Sequence, residues 1–107
     1  MGRNMDARWL NTIIAEMGSG SAEMRYEAAR AAGELSDRRA IPQLLELLRD
    51  NDTEVKLAAI WALGQVGGAA ATTALKRVAQ SDDEAISDAA QDALAEARLA
   101  DDPLGII

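Results

Sequence analysis

The amino-acid sequence predicts an all-α fold, an α-solenoid or α-α superhelix of three stacked helix pairs. The first observation is composition: the 107 residues include 23 alanines but only three aromatic side chains, which favours helices packed closely on one another. The second is an internal repeat with an offset of 31 residues. The third is apolar spacing of helical type in both halves of that repeat, which predicts two helices, A and B, per unit.

The repeat is clearest in its second half, helix B. Residues 23–35 align with residues 54–66, and the same offset carries Val55 onto Ile86. In the middle copy, four apolar residues follow the first apolar residue at distances of four, seven, eight and eleven positions, which places all five on one face of a helix. These positions are Val55, Ala59, Ala62, Leu63 and Val66.

Boundary signals divide the chain into six helices. Ser21, Asp52 and Asp83 are N-cap residue types at the start of each helix B, and Pro42 suits the first turn of a helix A. The glycines at 67–68 indicate a helix end and a turn. One domain over residues 1–107 is expected. The first repeat, 6–35, contains predicted helices at 6–17 and 21–35. The second, 39–66, contains helices at 39–49 and 52–66, and the third, 70–99, contains helices at 70–80 and 83–99. Residues 100–107 are expected to form a C-terminal tail.

Small residues recur inside helix B at one position of the repeat. Gly33, Gly64 and Ala95 are equivalent, although glycine destabilises a helix interior by about 0.8–1 kcal/mol relative to alanine. Close crossing of helix B over helix A is the expected compensation.

The central repeat resembles a known family. Residues 37–67, which include the run Ile41-Pro42-Gln43-Leu44-Leu45 and the segment Ala58-Ala59-Ile60-Trp61-Ala62-Leu63-Gly64, are similar to a HEAT-like repeat of the phycobilisome-lyase type. The resemblance implies an α-solenoid whose helices B line the concave face. The family of HEAT-like proteins also includes enzymes. Members that hydroxylate a modified lysine bind metals through His-Glu motifs, members that excise damaged bases use a basic groove, and bilin lyases act on a chromophore. This chain has no histidine, no basic groove and nothing that marks a chromophore site.

Composition narrows the function further. The absence of cysteine and histidine removes thiol nucleophiles, Cys/His metal sites and the usual general base, so no enzyme activity and no cofactor are expected. The acidic residues at 82–84 with Asp88 are interpreted as a solvated helix start, and Val55 stands where a calcium loop requires glycine. No metal site is therefore predicted.

Charge is distributed unevenly along the chain. The whole net charge of −7 comes from residues 82–107, because residues 1–81 contain ten acidic and ten basic side chains. This argues against nucleic acid as a partner. No membrane segment is expected either, since the uncharged stretch 57–75 is poor in large aliphatics and interrupted by glycines. The N-terminus has no apolar targeting region, so the predicted location is cytoplasmic.

A row of side chains on helix B lies off the buried stripe and is the candidate binding surface. It contains an aromatic and an arginine in the first repeat, apolar residues in the second and acidic residues in the third, a composition that suits a protein-binding hot spot. Trp61 has two interpretations: it contacts a partner, or it covers thin alanine packing. The candidate residues are Tyr26, Arg30, Leu57, Trp61, Asp88 and Asp92.

The sequence favours a non-enzymatic module that binds a protein segment, basic or amphipathic, on the concave helix-B face. The alternatives are a self-assembling or docking fragment of a longer solenoid, suggested by the apolar residues at 104–107, and a lyase-associated subunit. A monomer or a weak homo-oligomer is expected, with Asp88, Gln91 and Asp92 as the polar end of the stack.

Overall fold

The computed structural model describes the backbone of residues 2–101 and the side chains of residues 8–99, and this part of the chain is helical, with no strand. The predicted all-α fold of six helices in three pairs is confirmed. The elements are α1 (Gly2–Glu16), α2 (Ala22–Leu35), a 3-10 turn (Arg38–Ala40), α3 (Ile41–Leu47), α4 (Thr53–Val66), α5 (Ala69–Val78) and α6 (Glu84–Asp101).

Four helices differ from their predicted bounds by two residues or more, among them α5, which ends at Val78 and not at residue 80. The first helix begins at Gly2 and not at residue 6, and the second helix A is shorter than predicted because a 3-10 turn precedes α3. The last helix continues to Asp101, so the expected tail at 100–107 begins with helical residues. The apolar residues at 104–107 lie outside the described residues.

Each helix B begins at the predicted N-cap. In all three copies the capping side chain accepts a hydrogen bond from the backbone N–H three residues later, which satisfies a donor that the first helical turn leaves free. The bonds join Ser21 Oγ and Met24 N (3.3 Å), Asp52 Oδ1 and Val55 N (3.1 Å), and Asp83 Oδ1 and Ile86 N (3.2 Å). The predicted end of α4 is also confirmed, since Gly67 and Gly68 have φ values of 72° and 92°, which favour glycine.

The small residues of helix B pack against the next helix B, and not against helix A as expected from the sequence. A Cβ on Gly33 would overlap the Trp61 ring and lie 2.9 Å from the Cα of Ala62. A Cβ on Gly64 would lie 2.8 Å from the Cβ of Ala93. Glycine therefore allows α2, α4 and α6 to approach one another closely, whereas the equivalent Ala95 on α6 is exposed.

The two layers of helices differ in how extensively neighbouring helices pack. Contacts along the B layer, from α2 to α4 and from α4 to α6, are far more extensive than the contact between α3 and α5 in the A layer. The resemblance to HEAT-like repeats implies that helices B line the concave face, and the more extensive packing along the B layer is consistent with this. The row of candidate residues therefore lies on that face.

Candidate functional site

The interval between α2 and α4 on the concave face is closed by Trp61. Its ring lies against Gly33 of the preceding helix B, and the Arg30 guanidinium carbon lies 4.1 Å from the ring centroid. A cation over an indole ring contributes about 0.5–1 kcal/mol at an exposed site. Trp61 thus covers the thin packing between α2 and α4 on one side, in line with the second of its two interpretations.

The next interval, between α4 and α6, is open. We call it the concave groove; its volume is about 630 Å³. The equivalent of Trp61 on α6 is Asp92, whose side chain is too short to cover the preceding helix as the indole does. The residues that line it include Leu57, Trp61 and Gln65 on α4 and Ala89, Asp92 and Glu96 on α6.

The concave groove combines an apolar wall with an acidic one. Leu57 and Trp61 are half-buried, while Asp92 and Glu96 are exposed. Among the described side chains the ion pairs join Arg25 with Asp50 and Arg39 with Asp37, so neither acidic residue of the groove has an ion-pair partner there. The groove is therefore suited to a cationic side chain attached to an apolar segment.

The six predicted site residues divide into three groups in space. Leu57, Trp61 and Asp92 line the concave groove, and Arg30 lies over the far side of the Trp61 ring. Tyr26 lines a separate recess of about 370 Å³ beside Asp52. Asp88 is exposed and does not line the groove.

The sequence analysis missed the floor of the groove on α6. Ala89 and Ala93 line it, and they are equivalent to Ala58 and Ala62, which are buried in α4. The 31-residue offset could have indicated them. Asp92 was predicted both as a candidate binding residue and as part of the polar end of the stack, and it lines the concave groove. Gln91, in contrast, is exposed at the position where α4 has the buried Ile60.

Two features are absent from the part of the chain that the structure describes. No three His, Cys, Asp or Glu side chains among the described residues are placed to hold a metal ion. None of the described helices is long and apolar enough to cross a membrane.

Comparisons with known proteins agree on the architecture. A family model described as HEAT repeats matches residues 10–95. The structure of human deoxyhypusine hydroxylase in complex with glycerol superimposes with a TM-score of 0.78 at 24% sequence identity, covering 83% of this chain and 32% of that one. The chain thus spans about a third of the length of that protein. No curated protein sequence gives a significant match.

Proposed function

The chain belongs to the HEAT-repeat family, and from this premise we propose that it is a non-enzymatic protein-binding module. The concave groove takes an apolar segment of a partner that carries a basic side chain. Leu57 and Trp61 contact the apolar part of the segment, and Asp92 and Glu96 pair with the basic residue. The single observation that supports this proposal most strongly is the open interval beside Trp61, where two carboxylates across from the indole pair with none of the described side chains.

The other candidate residues have supporting roles in this proposal. Arg30 holds the Trp61 ring from behind, so the edge of the indole is presented in one orientation. Asp88 is exposed one turn before Asp92 and adds to the negative potential that a basic segment meets on approach. Tyr26 contacts any part of the partner that continues towards α2.

The non-enzymatic part of the proposal rests on the residues of this chain. The structural likeness to the hydroxylase supports a common fold, and a fold by itself does not carry an activity. The chain has no histidine or cysteine, which are the most versatile catalytic side chains near neutral pH. The finer resemblance to phycobilisome-lyase repeats remains a prediction, as do cytoplasmic location and the absence of nucleic-acid and membrane partners. A monomer or weak homo-oligomer is proposed.

A second candidate function is a docking unit within a longer HEAT solenoid. Ala95 of α6 is exposed and borders the concave groove, whereas the equivalent Gly64 of α4 packs against the next helix B, so α6 presents a position of the stacking type. On this proposal another helix pair packs on that side of α6.

The binding proposal is tested by selecting peptides from a displayed random library against the folded protein and measuring the affinity of the selected peptides. We expect sequences with lysine or arginine beside an aliphatic residue. Replacing Asp92→Arg together with Glu96→Arg should weaken their binding at least about tenfold, because both carboxylates of the groove are reversed. Isothermal titration calorimetry measures the change.

The control for an added arginine is Gln91→Arg, at an exposed position of α6 that does not line the groove. It should leave the affinity within about twofold. Trp61→Ala is a poorer test, since it also removes the ring that covers Gly33 and should lower stability. Selected peptides that bind wild type and the double variant equally would refute the proposed site.

A further inference from the structure

A second groove lies in the other layer of the molecule, between α3 and α5. We call it the outer groove; its volume is about 760 Å³, larger than that of the concave groove. Leu45 and Leu48 line one side and Val78 the other, all three half-buried at the edge of the core. Three aliphatic side chains are therefore accessible within one cleft.

The outer groove exists because α5 presents small side chains towards α3. Ala70, Thr73, Ala74 and Arg77 line it and follow one another at the i, i+3, i+4 and i+7 positions of a helix. Helix axes approach to about 8–10 Å, with the shorter distances at small residues. A stripe of this spacing next to exposed aliphatics has the shape that an added helix fills.

Charges at one end of the outer groove favour one kind of helix. Arg49 follows α3 and Arg77 lies in the last turn of α5, and because the two helices are equivalent in successive repeats these arginines lie at the same end. Both are exposed, and neither forms an ion pair among the described side chains. Glu46, in the last turn of α3 at the same end, is the one acidic residue among the described residues that line the groove, so the charged groups there sum to a net charge of +1.

From this arrangement we infer that the outer groove docks an amphipathic helix of a partner protein whose first turn is acidic. The helix packs antiparallel to α5, with its leucine-type face over Ala70, Thr73 and Ala74. Its first-turn carboxylates then pair with Arg49 and Arg77, and its positive N-terminal dipole lies beside the negative C-terminal ends of α3 and α5. The protein then joins two partners of opposite charge, one on each face.

The test uses a fluorescently labelled synthetic helix of about 15 residues, near the length at which isolated helices become stable. It carries leucines at i, i+3, i+4 and i+7 and three glutamates in its first turn. We expect it to bind in fluorescence anisotropy, and a matched peptide with three lysines in those positions to bind at least about tenfold more weakly.

Two variants test the charge and the shape of the groove separately. Arg77→Glu should reduce affinity for the acidic peptide at least about tenfold, whereas Lys76→Glu, the same charge change in the same turn at a residue that does not line the groove, should not. Thr73→Trp fills the groove at an exposed position and should also abolish binding while the circular dichroism spectrum stays unchanged.

Three results would overturn the inference. The first is equal binding of the acidic peptide and the lysine peptide, and the second is an equal loss of affinity in Arg77→Glu and Lys76→Glu. The third is self-association of the chain that Thr73→Trp abolishes, because that result would identify a second copy of the chain as the occupant. Binding at the concave groove is measured separately with the selected basic peptides, so the proposal for either groove can be rejected independently of the other.

Discussion

At the scale of single residues, Arg25 and Asp50 form the contact that ties the first repeat to the second. Arg25 Nε donates to Asp50 Oδ2 over 2.7 Å and Nη2 donates to Oδ1 over 3.0 Å, while Nη1 donates to the Ser19 carbonyl over 2.9 Å. The side chains are only 16% and 7% exposed. The hydrogen bonds from Arg25 are the main reason why the pKa of Asp50 lies below its ordinary value of 3.8.

Asp50→Asn should lower the melting temperature by several degrees at pH 7, because it leaves a poorly solvated guanidinium without its carboxylate. A lowered pKa in the folded state means that the carboxylate stabilises the fold fully above its ordinary pKa and loses this effect as the pH falls through the lowered value. The difference between wild type and variant should therefore narrow below pH 3.8. Thermal unfolding at a series of pH values measures it.

Asp37→Asn is the matched control, since Asp37 also pairs with an arginine but at an exposed position. The Arg39 side chain donates hydrogen bonds to Asp37 and lowers the pKa of Asp37 to about 2. The side chain of Arg39 is nevertheless 64% exposed and that of Asp37 is 30% exposed. Exposed pairs contribute little. If both variants melted at the same temperature, the structural role assigned to Arg25 and Asp50 would be wrong.

At the scale of helices, the B layer is held together by glycine against alanine. Gly64 approaches both the backbone and the Cβ of Ala93, so no flexible side chain can move aside there. A Cβ on Gly33 would likewise meet the Cα of Ala62 at 2.9 Å, but its nearest neighbour there is the Trp61 ring. The two glycines are equivalent in sequence but differ in what an added methyl group would displace.

Gly64→Ala should destabilise the protein, although alanine is the better helix former by about 1 kcal/mol. The added Cβ forces α4 and α6 apart, and overpacking of this kind costs about 1–3 kcal/mol. Gly20→Ala is the control, because a Cβ there meets no atom within 4 Å. Chemical denaturation of both variants measures the free energy of unfolding; a stabilised Gly64→Ala protein would contradict the packing described.

At the scale of the whole molecule, α4 occupies the centre of the stack. It contacts α2 and α6 in its own layer and α3 and α5 in the other, and half of its residues are buried. The main contact of α1, in contrast, is with α2 alone. Stability in a repeat protein is the sum of such neighbour contacts, so it should decrease from the centre towards the first helix.

Hydrogen exchange should follow this gradient. The backbone amides of α4 should exchange most slowly and those of α1 fastest, because local opening costs least where fewest apolar contacts break. Exchange monitored by mass spectrometry on peptides from each helix measures the order. Slower exchange in α1 than in α4 would show that the first helix, and not the centre, carries the stability.

The sequence by itself determined the repeat, the helix types and the helix starts. A 31-residue offset and apolar stripes of helical spacing are enough to specify which face of each helix is buried, and Ser21, Asp52 and Asp83 cap their helices through bonds to residues three positions away. These are local interactions, which the order of residues contains directly. The contact between Arg30 and Trp61 is not local, but the repeat offset places the two residues at equivalent positions on adjacent helices.

Only the tertiary structure decided where the surface is closed and where it is open. Small residues at Gly64 and Thr73 look alike in sequence, yet the first brings two helices into contact and the second borders a groove. Likewise Trp61 and Asp92 share one repeat position, and the length of the side chain decides whether the interval beside it is filled. Periodicity reports that a position faces a neighbour, whereas the gap to that neighbour depends on helix spacing and side-chain size in three dimensions.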